Sequence, residues 1–306
     1  MKERKSPMDK IIEILENQGP LTGKELLEKT GMDEFTAWKN CNSSERIVTK
    51  TIGTRYLRLD RLVAGYARLS PSIIREFFGY TVIGTEKNLP DILRKAEYLS
   101  QEIIRISKNK FELAKETITK IVESQAASNI IKGGACFIIA GDVAYEMSHL
   151  EPRPEVSTGE LVKGSDLDIV AVTQGLPGNI INALDTSIYE HKYYLLKNPS
   201  YNEEIDYIVK DISKVKEQLK FDSFESMVAS KILYEGKFLY GNFDIFKQIK
   251  KMLIDEGIPE KIRVLEEKAL LNRNNAKTQL LKYEGKLTDE ESMKLFYTKE
   301  EKEEFF

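Results

Sequence analysis

Gly164-Ser165-Asp166-Leu167-Asp168-Ile169-Val170-Ala171-Val172 constrains this chain more than any other stretch. A short turn delivers two aspartates into an apolar strand. Strand side chains alternate in direction, so Asp166 and Asp168 share one face and Leu167 takes the other. Two adjacent carboxylates repel each other, and burying them unpaired is costly. A divalent cation removes both penalties, and Mg²⁺ commonly takes one or two carboxylates plus substrate phosphates. The stretch predicts a metal site for phosphate chemistry. A competing reading has Asp166 capping a turn and Asp168 paired with Lys or Arg. Two acids in register at the mouth of a buried strand favour the metal.

Composition narrows the alternatives. At 306 residues the chain can bury a sizeable core and form two domains. A net charge of −3 gives no global attraction to nucleic acid or anionic lipid. No apolar run is long enough to span a bilayer, and no signal-peptide core follows the charged N-terminus, so a cytoplasmic protein with no membrane partner is expected. Cys41 and Cys136 are the only cysteines, which excludes a disulfide framework and a cysteine-rich zinc site. His149 and His191 are the only histidines and read as surface or loop residues.

Patterning along the chain predicts an α+β architecture in four parts. Residues 1–88 form the first. Met8, Ile11, Ile12 and Leu15 make a helical stripe stopped by Gly19-Pro20. Thr22 and Glu25 have capping-box spacing before a second helix that ends at Gly31. Residues 33–44 suit a third helix. Two strand-like runs, 46–52 and 54–59, are joined at Gly53 as a ribbon. Three helices and a two-stranded ribbon resemble a winged helix-turn-helix. Residues 89–128 are expected to be a long connecting helix with a narrow stripe of Ile92, Ala96, Leu99, Ile103 and Ile106. A homodimeric coiled coil on that stripe is the competing assignment.

The third part, 129–241, switches to α/β. Residues 135–140 read as a buried strand that ends at Gly141-Asp142, with a helix start after it. Residues 151–163 read as a loop, 191–196 and 204–209 as strands, and Asp222 with Glu225 as the cap of a helix through Tyr240. Tyr193, Tyr194, Phe221 and Phe224 are expected in the core. The fourth part, 242–306, reads as a charged helical extension with a solvated face.

The order is strand, glycine turn, helix, loop, Ser-Asp-x-Asp strand, then a later strand offering Asp206. This resembles the nucleotidyltransferases of the DNA polymerase beta superfamily. That family carries a Gly-Ser or Gly-Gly turn, then Asp-x-Asp or Asp-x-Glu, then a third acid on a neighbouring strand. The resemblance covers roughly residues 130–241. The stretch from Ala229 to Gly241 is similar to the helix that ends the core of small members. The resemblance implies a small mixed-sheet domain that moves a nucleoside monophosphate from an NTP to a hydroxyl of RNA, protein or a small molecule, releasing pyrophosphate. It implies two Mg²⁺ ions, or Mn²⁺, held by Asp166, Asp168 and Asp206, with Asp206 able to take the acceptor's proton. Glu203, Glu204 and Asp211 compete with Asp206 for that place, since strand register decides it. Gly141, Asp142, Gly164, Ser165 and Lys231 are the expected nucleotide contacts. Asp142 departs from the family pattern, which has Ser or Gly there. A carboxylate opposes a triphosphate unless it turns away or joins a metal.

A second function is open to the first domain. A winged helix places its third helix in the major groove and its wing on the backbone. Lys39, Arg46, Lys50, Arg55 and Arg58 are the candidate DNA contacts. Residues 1–60 contain 11 basic and 10 acidic side chains, a balance of 11 − 10 = +1, so strong non-specific DNA binding is not expected. The alternative to an enzyme is a DNA-binding transcriptional regulator whose degenerate nucleotidyltransferase domain only senses a nucleotide.

Overall fold

The structure is a computed structural model that describes residues 6–63, 65–155 and 158–296. Mixed α and β elements build two compact units. One comprises the chain to Glu102 together with the chain from Leu265 onward, and the other is Ile103–Val264.

In the first unit, helix α1 (Pro7–Gln18) starts at an N-cap Ser6 with Pro7 behind it and stops at Gly19. Strand β1 (Leu21–Thr22) leads into α2 (Gly23–Thr30), whose capping box is made by Thr22 and Glu25. Helix α3 (Glu34–Ser43) is capped by Asp33. Strands β2 (Ile47–Thr51), β3 (Tyr56–Leu59) and β4 (Ala67–Ser70) precede α4 (Ile73–Tyr80) and β5 (Thr81–Thr85). The expected ribbon of β2 with β3 does not form. Strand β2 pairs antiparallel with β5, and β3 with β4. The cause is β5, which is buried along its whole length and needs partners on both edges; it takes β1 and β2.

Helix α5 (Leu89–Glu123) is long and carries its expected stripe, with Ile92, Ala96 and Ile103 buried. Helix α6 (Ser128–Gly134) follows, then β6 (Ala135–Ile139), α7 (Gly141–Tyr145) and a short hairpin of β7 (Pro152–Pro154) and β8 (Leu161–Lys163). That hairpin replaces the expected loop. Strand β9 (Leu167–Thr173) is followed by α8 (Gly178–Lys197) and β10 (Ile205–Asp211). The expected strand at 191–196 is part of α8, because Leu184, Ile188 and Leu195 recur at helical spacing and are buried. Helix α9 (Ile212–Gln218), α10 (Phe224–Glu235), β11 (Lys237–Gly241) and α11 (Phe243–Asp255) complete this unit's regular elements with the start of α12 (Ile258–Lys282). Helix α10 is capped by Ser223 and Ser226 rather than by Asp222 and Glu225, and it ends at Gly236 instead of reaching Tyr240.

The sheet of this unit has the order β10-β9-β6-β11. Strands β9 and β10 are parallel, and β6 is antiparallel to both β9 and β11. Parallel neighbours require a crossover, which α8 supplies. Phe137, Ile139, Leu167, Ile169, Ala171 and Ile205 pack with Ala114, Ile118, Leu184, Ile188 and Leu195 on one side of the sheet. Alternation then sends Asp166, Asp168 and Asp206 to the other side.

The C-terminal part of α12 and α13 (Asp289–Phe296) belong to the first unit. This tail is not simply a solvated face. Leu280 and Leu295 are fully buried in a core with Ile11, Leu15, Leu26, Phe35 and Trp38. Arg273 is 1% exposed and meets Glu76 at 3.0 Å, while its guanidinium also donates to Pro71 O at 2.6 Å. Lys277 reaches Glu76 at 3.1 Å and Arg55 also pairs with it. Burial alone would raise the Glu76 pKa. The Arg55 hydrogen bond and the charges of Arg273, Lys277 and Arg55 outweigh it and hold the carboxyl at about 2.

Candidate active site: the carboxylate end of the mixed sheet

The site is built where β6 ends and β9 and β10 begin. Asp206 is the registered partner of Asp168 across the parallel ladder, and Ile205 of Leu167. Glu203 and Glu204 lie just before β10, and Asp211 lies at its far end, so Asp206 is the acid that stands beside Asp168.

Gly141 makes room for Asp168. It sits at φ +62°, and a Cβ there would come within 2.0 Å of Asp168 Oδ2. Only glycine gives both the backbone conformation and the clearance. The Gly141 N–H donates to Glu235 Oε1 at 3.2 Å. Lys231 is 8% exposed, pairs with Glu235 and lies 5.3 Å from the Tyr145 ring centroid. The two expected nucleotide contacts Gly141 and Lys231 therefore meet on one carboxylate of α10.

Asp142 turns to the aspartate turn. Ser165 Oγ donates to Asp142 Oδ2 at 2.6 Å and in turn accepts the His149 N–H at 3.2 Å. Gly164, at φ +64°, allows this approach, since a Cβ there would lie 2.0 Å from His149 O. Asp166 is held by Arg153, which also meets Glu204 Oε2 at 2.8 Å and donates from Nε to Gly164 O at 2.9 Å. A basic partner of the kind the competing sequence reading gave to Asp168 stands on Asp166. Lys192 of α8 meets Asp206 Oδ1 at 3.3 Å.

A buried pair fixes the framework. Lys110 Nζ lies 2.5 Å from Glu203 and donates to Lys163 O at 2.8 Å, with side chains 3% and 8% exposed. It ties α5 to the end of β8, three residues before Asp166, and to the segment just before β10, three residues before Asp206. Burial lowers the Lys110 pKa and raises that of Glu203, each against the attraction of its partner.

Asp142, Asp166, Asp168, Glu204, Asp206 and Glu235 gather at this end of the unit, with Arg153, Lys192 and Lys231 among their basic partners. Hard oxygen donors of this kind, with Asp168 seated in the cradle at Gly141, fit the chemistry of Mg²⁺ or Mn²⁺. Among the described residues no three Asp, Glu, His or Cys side chains form a ready ligand group. Two carboxylates completed by phosphate oxygens are the arrangement Mg²⁺ commonly uses.

The DNA candidates are scattered in their roles. Lys39 donates to Tyr283 O and lies 5.9 Å from the Phe35 ring centroid. Arg46 meets Asp9 at 3.7 Å, and Arg55 is committed to Glu76. Lys50 and Arg58 are exposed on β2 and β3. Tyr193 and Tyr194, expected in the core, are 55% and 53% exposed on α8, because Leu195 and Leu196 take the inward positions; Phe221 and Phe224 are half-buried.

Arg153, Lys192, Glu235 and Lys110 carry no local sequence signal for this site, and Glu203 reads only as a competitor of Asp206. Arg153 sits between two prolines in an irregular insertion, and Lys192 lies in a stretch whose aromatics mimic a strand. Among the described residues no helix is long and apolar enough to cross a membrane. Comparisons of the chain with family models, with curated proteins and with solved structures return no match.

Proposed function

We propose that the Ile103–Val264 unit is a Mg²⁺-dependent nucleotidyltransferase that transfers NMP from an NTP to a hydroxyl acceptor and releases pyrophosphate. The observation that carries the reading is the register of Asp206 beside Asp168, with Asp168 seated at Gly141. Asp166 and Asp168 would hold the ion, with Asp206 beside the acceptor. When bound, the ion supplies charge neutralisation for the triphosphate. Asp206 takes the proton of the attacking hydroxyl. The hydroxyl oxygen bonds to the α-phosphorus as the bond to pyrophosphate breaks. Arg153 keeps Asp166 and Glu204 compensated, and would release Asp166 to an ion held there. Asp142 accepts a hydrogen bond from Ser165, which would turn its carboxylate away from a bound triphosphate.

We also propose that the first unit is a winged helix whose wing strands are β2 and β5. Three helices and the β1-β5-β2 sheet support this. A regulator that binds duplex DNA through this unit draws less support, since Lys39 and Arg55 are engaged within the unit itself.

Incubation with each α-labelled NTP and Mg²⁺ tests the enzyme. Label transfer and pyrophosphate release are expected from the wild-type protein and not from Asp166→Asn/Asp168→Asn. Equal release by that double variant would contradict the assignment.

A further inference from the structure

A cavity of about 440 Å³ lies between α5 and α8 within the Ile103–Val264 unit. None of the residues that line it is among the acids of the carboxylate end. Leu195, on its wall, packs in the same core as Leu167 and Ile169, and Asp168 alternates to the opposite side. The size is that of a small-molecule pocket.

Its chemistry is specific. The rings of Tyr194 and Tyr201 stand 5.9 Å apart at 56° and form an aromatic wall. Glu116 and Glu190 contribute two carboxylates from the two helices, and Lys120 contributes one ammonium. His191 Nδ1 lies 2.9 Å from Ser187 O. The cavity thus offers acceptors, aromatic faces and a net charge balanced by one added positive charge. A phosphate or carboxylate would meet two like charges. An ammonium group attached to an apolar body gains a carboxylate partner, a π face and a greasy wall at Leu195.

We propose that this cavity binds a small organic monocation, an aryl- or alkyl-ammonium compound, at a site distinct from the carboxylate end of the sheet. The site needs neither metal nor nucleotide.

The test uses the full chain and three isosteric probes: 2-phenylethylammonium, 2-phenylethanol and phenylacetate. Binding is followed by calorimetry and ligand-observed NMR. The ammonium compound should bind saturably, about fivefold or more tighter than the alcohol, with phenylacetate weakest. Glu116→Gln/Glu190→Gln should remove that preference while leaving the alcohol's affinity unchanged. Tyr194→Ala should weaken both, and Asp168→Asn should change neither. Absence of saturable ammonium binding, equal binding of the three probes, or insensitivity to both cavity variants would overturn the proposal. Because the readout is binding, an inactive enzyme leaves it standing.

Discussion

Asp206 stands beside Asp168, one residue into each of two parallel strands that start together. Both acids project to the face opposite the Leu167 and Ile205 core, and like charges so placed repel. A framework that maintains such a pair does so at a cost in stability. Asp206→Asn should lower NMP transfer by roughly 10²–10⁴-fold, the range for losing a general base. The melting temperature should stay equal or rise. A lower melting temperature with unchanged transfer would show a structural role only.

Arg153 compensates Asp166 and Glu204 through a bridge from the β7–β8 hairpin. Arg153→Met removes a cation that occupies one metal-binding carboxylate. Mn²⁺ affinity, read by electron paramagnetic resonance, should tighten several-fold. In metal-free buffer the variant should be less stable by about 3–5 kcal/mol, since the carboxylates lose their partner. Added Mn²⁺ should recover part of that loss.

Gly141→Ala should be costly out of proportion to one methyl group. The new Cβ meets Asp168 Oδ2 at 2.0 Å and the backbone is at φ +62°. The strained backbone alone costs about 1–2 kcal/mol. Displacement of Asp168 should abolish transfer. Retained activity in a variant with native-like circular dichroism would contradict the cradle.

Lys110→Met leaves Glu203 buried without its counter-ion. Removing one partner of such a pair costs about 3–5 kcal/mol, measured by urea denaturation. Replacing both, as Lys110→Met/Glu203→Leu, should recover most of that stability. Transfer should stay low in the double variant, because Lys110 also holds Lys163 O near the aspartate turn.

Glu76 gives the first unit an acid limit. Its pKa is about 2 in the folded chain against an ordinary 4.5. A carboxyl depressed by folding contributes stability that is complete above pH 4.5 and is lost as the pH falls toward 2. The loss should be on the order of 3 kcal/mol. Glu76→Gln should flatten this part of the pH–stability curve and be strongly destabilised at neutral pH, where Arg273 would be left buried without a carboxylate.

Local chemistry made much of the architecture legible. The Thr22–Glu25 capping box, the stops at Gly19 and Gly31, and the apolar run of β6 are all statements about neighbouring residues. The two aspartates were visible because period-two alternation is also local. What escaped depends on distant partners. Nothing near Gly53 reveals that β2 will choose β5 over β3. The run His191–Leu196 has strand-like composition, but burial of its Leu195 follows Leu184 and Ile188, about three and two turns earlier in the helix. Arg273 reads as one charge on a polar helix until Pro71, Ser72 and Glu76 gather around it. Around the site, Arg153, Lys192 and Glu235 come from three separate elements, and only folding brings them to the acids.

The most direct measurement is anomalous diffraction from crystals soaked in Mn²⁺ with a non-hydrolysable NTP. A peak is expected within ligating distance of Asp166 and Asp168, with triphosphate oxygens completing the shell and Arg153 released from Asp166. Asp166 still locked to Arg153, with no peak at either carboxylate, would contradict the metal assignment.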